Sequence, residues 1–144
     1  MYEIIVEKHF DAAHYLRGYK GKCENMHGHR YAVKVKLSVV KLNDIGLAYD
    51  FTDLKRHLDD ILARYDHTCL NEVPPFDKIN PSAENIAATI YKALKKKLSA
   101  DPSYANPPAL KLRRTRASAG GPVTLTAVEA WETPEQGVGY REGS

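Results

Sequence analysis

An α+β domain, an antiparallel sheet with both helices on one face, is the architecture this sequence predicts. Three observations point to it: a run that alternates apolar and polar residues, two segments with apolar residues at helical spacing, and a return to strand composition near residue 130. The alternating run is 31–40. Val33, Val35, Leu37 and Val39 fall on one face and Lys34, Lys36 and Ser38 on the other, the pattern of a half-buried strand. Residues 2–10, with Ile4, Val6 and His9 among charged residues, form the strand before it. Over 52–65 the period changes, since Leu54, Leu58, Ile61, Leu62 and Tyr65 recur at three and four. A second helix is predicted over 81–98, with Asn80 as its cap, Pro81 in its first turn, and a stripe of Ala83, Ile86, Ala87, Ile90, Leu94 and Leu98. Residues 99–122 are punctuated by Pro102, Pro107, Pro108, Gly120 and Gly121 and read as loop, with a short strand near Leu110–Arg114. Val123–Thr133 and Gly137–Arg141 supply the last two strands.

The chain has 144 residues, one domain's worth, so residues 1–144 are read as a single unit. Hydrophobic residues at 43% and charged residues at 27% argue against disorder over the whole length. No apolar run approaches the roughly 20 residues of a membrane span. The start, Met1-Tyr2-Glu3-Ile4-Ile5, lacks the basic and long apolar regions of a secretory signal, so a cytoplasmic location is expected. Cys23 and Cys69 cannot make a disulfide framework and are read as thiols. The net charge is +3, but residues 95–116 carry seven basic side chains against Asp101 alone. Such a patch suits either a solvated surface or an anion, whether nucleic acid or a phosphorylated small molecule. No nucleic-acid-binding motif accompanies it, so neither nucleic acid nor membrane is expected as a partner.

The chemistry concentrates in His14 and in Cys23-Glu24-Asn25-Met26-His27-Gly28-His29. In an extended chain, His27 and His29 point to the same side and can aim both imidazoles at one point. His14 would join them from a separate segment. Three neutral imidazoles suit zinc, and three protein ligands leave a position for water or substrate. Cys23 is either a fourth ligand that closes the site or a thiolate standing off the metal as a general base. Asp66-His67 falls where the first helix should end, and is either an orienting carboxylate beside its imidazole or an exposed pair. Glu132, at the end of a strand, is either simply exposed or a bidentate acceptor for a flat guanidine-like ring edge. Cys69 reads as a small buried hydrophobe, and Trp131 as core or sheet surface.

Six segments in order resemble the 6-pyruvoyl-tetrahydropterin synthase superfamily: Phe10-Asp11-Ala12-Ala13-His14, Cys23-x-x-x-His27-Gly28-His29-x-Tyr31, Asp50-Phe51-x-x-Leu54-Lys55, Asp66-His67-x-x-Leu70-Asn71, Pro81-Ser82-Ala83-Glu84-Asn85 and Glu132-Thr133. The resemblance implies zinc ligands at His14, His27 and His29. It implies catalytic roles for Cys23, Asp66 and His67. It also implies substrate contacts at Glu132, Glu84, Thr133 and Ser82. The implied fold is the tunnelling fold, a four-stranded antiparallel sheet with two helices on one face. Three subunits would close a barrel, and two barrels would stack as a homohexamer with shared active sites. Three residues separate Cys23 from His27, a spacing similar to that of bacterial 6-carboxy-tetrahydropterin synthases; animal pyruvoyl synthases have five. The implied reaction is zinc-dependent cleavage of 7,8-dihydroneopterin triphosphate, with 6-pyruvoyl-tetrahydropterin formation as the runner-up and a non-catalytic zinc staple as a rival of another class. Ser82 replaces a common threonine, and the basic stretch 99–122 is longer than that branch suggests.

Overall fold

The computed structural model describes residues 1–21, 24–105 and 121–143. Strands β1 (Tyr2–His14), β2 (His27–Val39), β3 (Thr68–Cys69), β4 (Val123–Thr133) and β5 (Gln136–Tyr140) form one sheet in the order β3-β1-β2-β4-β5. The four long strands are antiparallel neighbours, as predicted. The sheet is nonetheless five-stranded, because β3 adds two residues parallel to Ala12–Ala13 on the edge of β1. Two residues are too few to show a period, so the sequence gives no sign of β3. β1 and β2 also run further than their alternation suggests, to His14 and from His27. Asp11, Ala12, Ala13 and Gly28 are poor strand formers, and cross-strand pairing carries them.

Helices α1 (Phe51–Leu62) and α2 (Ala83–Ala100) lie on one face of the sheet, α1 against β1 and α2 against β4 and β5. Asp50 Oδ1 caps α1 by accepting the Thr52 N–H at 2.8 Å. Leu54, Leu58, Ile61 and Leu62 are its buried stripe, and Tyr65 follows in the turn beyond, still in the core. The cap of α2 is Ser82, whose Oγ accepts the Asn85 N–H at 3.2 Å, and not Asn80. Asn80 stands too far out to cap, and its carboxamide is bonded to the Arg17 backbone. Ile86, Ala87, Ile90, Leu94 and Leu98 of α2 share one buried core with Val33, Val35, Leu37, Val128 and Ala130 of the sheet. Where a loop was expected after residue 99, Pro102–Ala105 forms the single turn α3. The short strand expected near Leu110–Arg114 lies outside the described residues. Among those described, no helix is long and apolar enough to cross a membrane.

One irregularity in β4 has functional weight. Lys36 of β2 pairs with Ala127 and Leu37 with Leu125, so Thr126 is an extra residue. The bulge changes the phase of the strand. Val123 and Leu125 face the core before it, and Val128 and Ala130 face the core after it. Side chains occupy backbone groups around it: Leu125 N–H donates to Tyr104 Oη at 2.8 Å, Tyr91 Oη donates to Leu125 C=O at 3.2 Å, and Thr126 Oγ1 donates to Lys36 C=O at 2.9 Å. After the bulge, Trp131 lies on the uncovered face, with its Nε1–H on Glu129 Oε2 at 2.9 Å and Lys34 Nζ 5.0 Å from its ring. Its indole crosses Gly137 of β5 so closely that a Cβ there would sit inside the ring contact.

Gly137→Ala should therefore displace the indole and cost about 1–3 kcal/mol, the usual range for overpacking. The chain has a single tryptophan, so the emission maximum reports the displacement directly. Unchanged emission together with an unchanged urea midpoint would contradict this packing.

Candidate active site

The β1–β2 register sets His14 directly opposite His27, and Ala12 opposite His29. Opposed residues share a face, and so do residues two apart on one strand. All three imidazoles therefore emerge on the helix-covered face, at the end where the apolar core stops. Their ring centroids lie 4.6 Å (His14–His27), 4.8 Å (His27–His29) and 5.2 Å (His14–His29) apart. The Tyr31 ring forms the floor, 5.8 Å from His14 and 5.5 Å from His29, and stacks on Phe10 at 4.8 Å.

Hydrogen bonds fix which nitrogens meet. His14 Nδ1 lies 2.7 Å from the Pro81 carbonyl, and His27 Nδ1 lies 2.7 Å from the Asn25 carbonyl. A carbonyl only accepts, so each Nδ1 carries the proton and each Nε2 presents a lone pair. The two Nε2 atoms are 3.0 Å apart. Two lone pairs at that separation repel unless a cation lies between them. His29 Nε2 is buried with no hydrogen-bond partner among the described residues. Burial is the main cause that lowers the pKa of both His14 and His29, and so favours neutral imidazole, the form that binds metals. One ligand atom from each histidine lies within 4.8 Å of the others. The donor set fits a metal ion, and the unpartnered Nε2 of His29 beside the facing lone pairs of His14 and His27 is the observation that supports it.

Glu132 arrives from β4. The bulge at Thr126 turns it to the same face, where Oε1 lies 3.9 Å from His14 Nε2 and Oε2 lies 3.9 Å from His29 Nε2. Gln136 Nε2 donates to Glu132 Oε2 at 3.2 Å. Glu132, Gln136, Tyr19, Ser82, Glu84 and Val138 line one pocket. Ser82 contributes to its wall while its Oγ caps α2. Thr133 is not brought to this pocket: it faces the opposite side of the sheet, in a groove with Trp131, His9 and Arg30. The alternation of a strand separates neighbours in this way.

Asp66 and His67 form a second group. Asp66 Oδ2 lies 2.9 Å from His67 Nδ1, and Asp66 Oδ1 accepts the Asp11 N–H at 2.9 Å. The Asp11 N–H first, and His67 second, hold the Asp66 carboxyl below its ordinary pKa. His67 adopts φ of +57° between α1 and β3, and its N–H donates to the Asp11 carbonyl at 2.6 Å. This pair sits at the exposed edge of β1 and makes no bond to the three histidines. Cys23 lies outside the described residues. Cys69 is half-buried on β3.

Sequence reasoning missed Gln136 and the two carbonyls of Pro81 and Asn25. Gln136 had a signal, its position just past the Pro134-Glu135 turn, where it pairs with Thr133, the neighbour of Glu132. Backbone carbonyls have none.

A family model described as 6-pyruvoyl tetrahydropterin synthase matches residues 3–143. The chain is 28% identical to the 6-carboxy-5,6,7,8-tetrahydropterin synthase of Haemophilus influenzae, with 99% of this chain and 100% of that one covered. It is 35% identical over 99 residues to the enzyme of the same name from Synechocystis sp., covering 65% of this chain and 75% of the relative. Among solved structures, the 6-pyruvoyl tetrahydropterin synthase of Caenorhabditis elegans aligns with a TM-score of 0.71 at 28% identity, over 99% of this chain and 98% of that one. The architecture is the tunnelling fold, and the chain belongs to the 6-pyruvoyl tetrahydropterin synthase family.

Proposed function

We propose that this chain is a zinc-dependent lyase that converts 7,8-dihydroneopterin triphosphate and one water to 6-carboxy-5,6,7,8-tetrahydropterin, releasing acetaldehyde and triphosphate. The observation that carries this reading is the convergence of the His14, His27 and His29 Nε2 atoms beside a pocket that holds the Glu132 carboxylate. The names of relatives aligned over both the whole chain and its better-matched part favour the carboxy product over the pyruvoyl one.

His14, His27 and His29 would hold the zinc, a nitrogen donor set of the catalytic type. Zinc supplies Lewis acidity to the hydroxyl oxygens of the substrate side chain. Glu132 offers two acceptor oxygens to the paired N–H groups of the pterin ring, and Gln136 steadies one of them. Ser82 and Glu84 shape the same pocket from the start of α2. Thr133 faces away and takes no part in that pocket. Cys23, four residues before His27, is assigned the proton abstraction from the side-chain carbon, since a zinc ion close by would favour its thiolate. Asp66 holds the His67 Nδ1 proton and leaves Nε2 free to move a proton. A cytoplasmic setting keeps the Cys23 thiol reduced.

The exposed place of Asp66-His67 supports a site completed by another copy of the chain. The outer edges, β3 and β5, have no further strand neighbour among the described residues of one chain. Joining such edges around a threefold removes an aggregation hazard, and two such barrels give a closed homohexamer of about 97 kDa from chains of 16.1 kDa. His67 of one subunit would then serve the histidine cluster of its neighbour.

Incubation of the purified protein with dihydroneopterin triphosphate should yield 6-carboxy-tetrahydropterin and one acetaldehyde per turnover by mass spectrometry. A pyruvoyl product without acetaldehyde would move the assignment to the runner-up, and no turnover would sink both.

Single substitutions separate the roles. His29→Ala should strip the zinc, whereas Cys23→Ala and His67→Ala should keep it and lose about 10²–10⁴-fold in kcat. Loss of both zinc and fold in Cys23→Ala would support the structural staple instead. Inactive Cys23→Ala and His67→Ala subunits, dissociated and reassembled together, should recover part of the activity; properly mixed hexamers without recovery would refute the shared site.

A further inference from the structure

Beyond Cys69, β3 gives way to a 3-10 turn, Leu70–Glu72, and the segment after His14 loses its strand neighbour. Two asparagine side chains take the place of that strand. Asn71 Oδ1 accepts the Tyr15 N–H at 3.0 Å, and its Nδ2 donates to the Tyr15 carbonyl at 3.0 Å. Asn80 does the same for Arg17, accepting its N–H at 2.9 Å and donating to its carbonyl at 2.9 Å. A carboxamide carries the same donor and acceptor as a peptide group. Alternate residues of β1 turn these backbone groups to one side, and Tyr15 and Arg17 carry the pattern past the strand to the point where the chain turns. The ladder begun by β3 is thus continued by side chains. Arg17 adds a second tie, with Nη2 donating to the Phe76 carbonyl at 3.0 Å and Nη1 to the Ile79 carbonyl at 3.3 Å.

Asn80 is the clamp that adjoins the site. The next residue is Pro81, whose carbonyl accepts the His14 Nδ1 proton. Proline has no N–H with which to anchor itself, so the position of that carbonyl depends on its flanks. On one side stands the Asn80 clamp, with the Asn80 carbonyl itself accepting from Asn85 Nδ2 at 2.9 Å. On the other is the Ser82 cap of α2. We propose that Asn80 is a positioning residue for the metal site: by gripping the Arg17 backbone it holds the Pro81 carbonyl on His14 Nδ1, and so presents His14 Nε2 as the ligand atom. This rests on the reading of the histidines as metal ligands. It gives Asn80 a reason to be there that capping does not, since Ser82 already caps the helix. A carbonyl bonded to a ligating imidazole sets its tautomer and direction, and Asn80 acts on His14 through that carbonyl.

The test compares wild-type and Asn80→Ala full-length protein by three measurements: zinc affinity from chelator competition, visible absorption of the Co²⁺-loaded form, and Tm of the metal-free form. Asn80→Ala should keep the far-UV circular dichroism of the wild type. It should bind zinc about 10–100-fold more weakly, with altered Co²⁺ bands. A clamp that only staples the loop would lower the metal-free Tm and leave affinity and Co²⁺ bands unchanged, which overturns the proposal. If Asn80→Ala does not fold, Asn80→Ser, which keeps a polar group too short to reach both Arg17 atoms, is read by the same criteria. Wild-type protein that binds neither Zn²⁺ nor Co²⁺ would overturn the metal reading itself, and the part of Asn80 with it.

Discussion

The pairing of β1 with β2 is the constraint on which the rest depends. It runs without a break from Tyr2 opposite Val39 to His14 opposite His27. A slip of one residue would turn every side chain of one strand to the other face. Lys34 and Lys36 would then enter the core, and His27 and His29 would point away from His14. Burial of Val33, Val35 and Leu37, and the stack of Phe10 on Tyr31, hold the register against that slip. At roughly 1.5–3 kcal/mol for each large apolar side chain buried, the core fixes the register far more firmly than the histidines could. The site is specified by the same register as the core because it is the last stretch of the same face.

How much of this was legible in the sequence depends on whether one strand or two were needed to see it. The period of β2, the stripes of α1 and α2 and the shared side of His27 and His29 belong to single segments, and they read correctly. The approach of His14 needed a partner strand: the residues alone made it a ligand from a separate segment, and the family resemblance implied the same role. Glu132 shows the limit more sharply. Uninterrupted alternation along β4 groups it with Thr124 and Thr126, whereas Val123, Leu125 and Trp131 would share the other face. The extra residue at Thr126 reverses that phase, so Glu132 faces the histidines and Trp131 faces out. A bulge is a mismatch between two strands, and no single strand carries its signature. Asn80 misread as a cap has a related cause, because its partner Arg17 is 63 residues away in the chain.

The histidine cluster is also a point of stored electrostatic tension. His14 is 1% exposed, and its surroundings favour the neutral ring. Protonation would relieve the lone-pair contact with His27 but would place a charge where desolvation opposes it. Glu132 lies close enough to offset such a charge, though at 3.9 Å it forms no hydrogen bond with either ring. A divalent ion held by these three histidines would resolve both difficulties at once, since it would accept the lone pairs and bring a positive charge for the carboxylate to face. Metal binding at this geometry would be coupled to stability, because the unfolded chain cannot assemble it.

The Asp66–His67 pair is built on a different principle. The histidines are fixed by core packing and backbone carbonyls, whereas Asp66 and His67 hang on the margin of β1 through the Asp11 backbone and the two residues of β3. His67 takes a left-handed backbone conformation there, which costs a non-glycine residue about 1–2 kcal/mol. The turn from α1 into β3 absorbs that cost, and the result is an oriented imidazole on an exposed edge. An imidazole so fixed, yet 77% exposed, has its orientation settled by the chain and its environment left to whatever covers the edge. In a closed barrel another subunit would provide that cover. The same closure that removes a sheet edge would then bring a second proton-transfer group to the histidine cluster, so assembly and chemistry would share one interface.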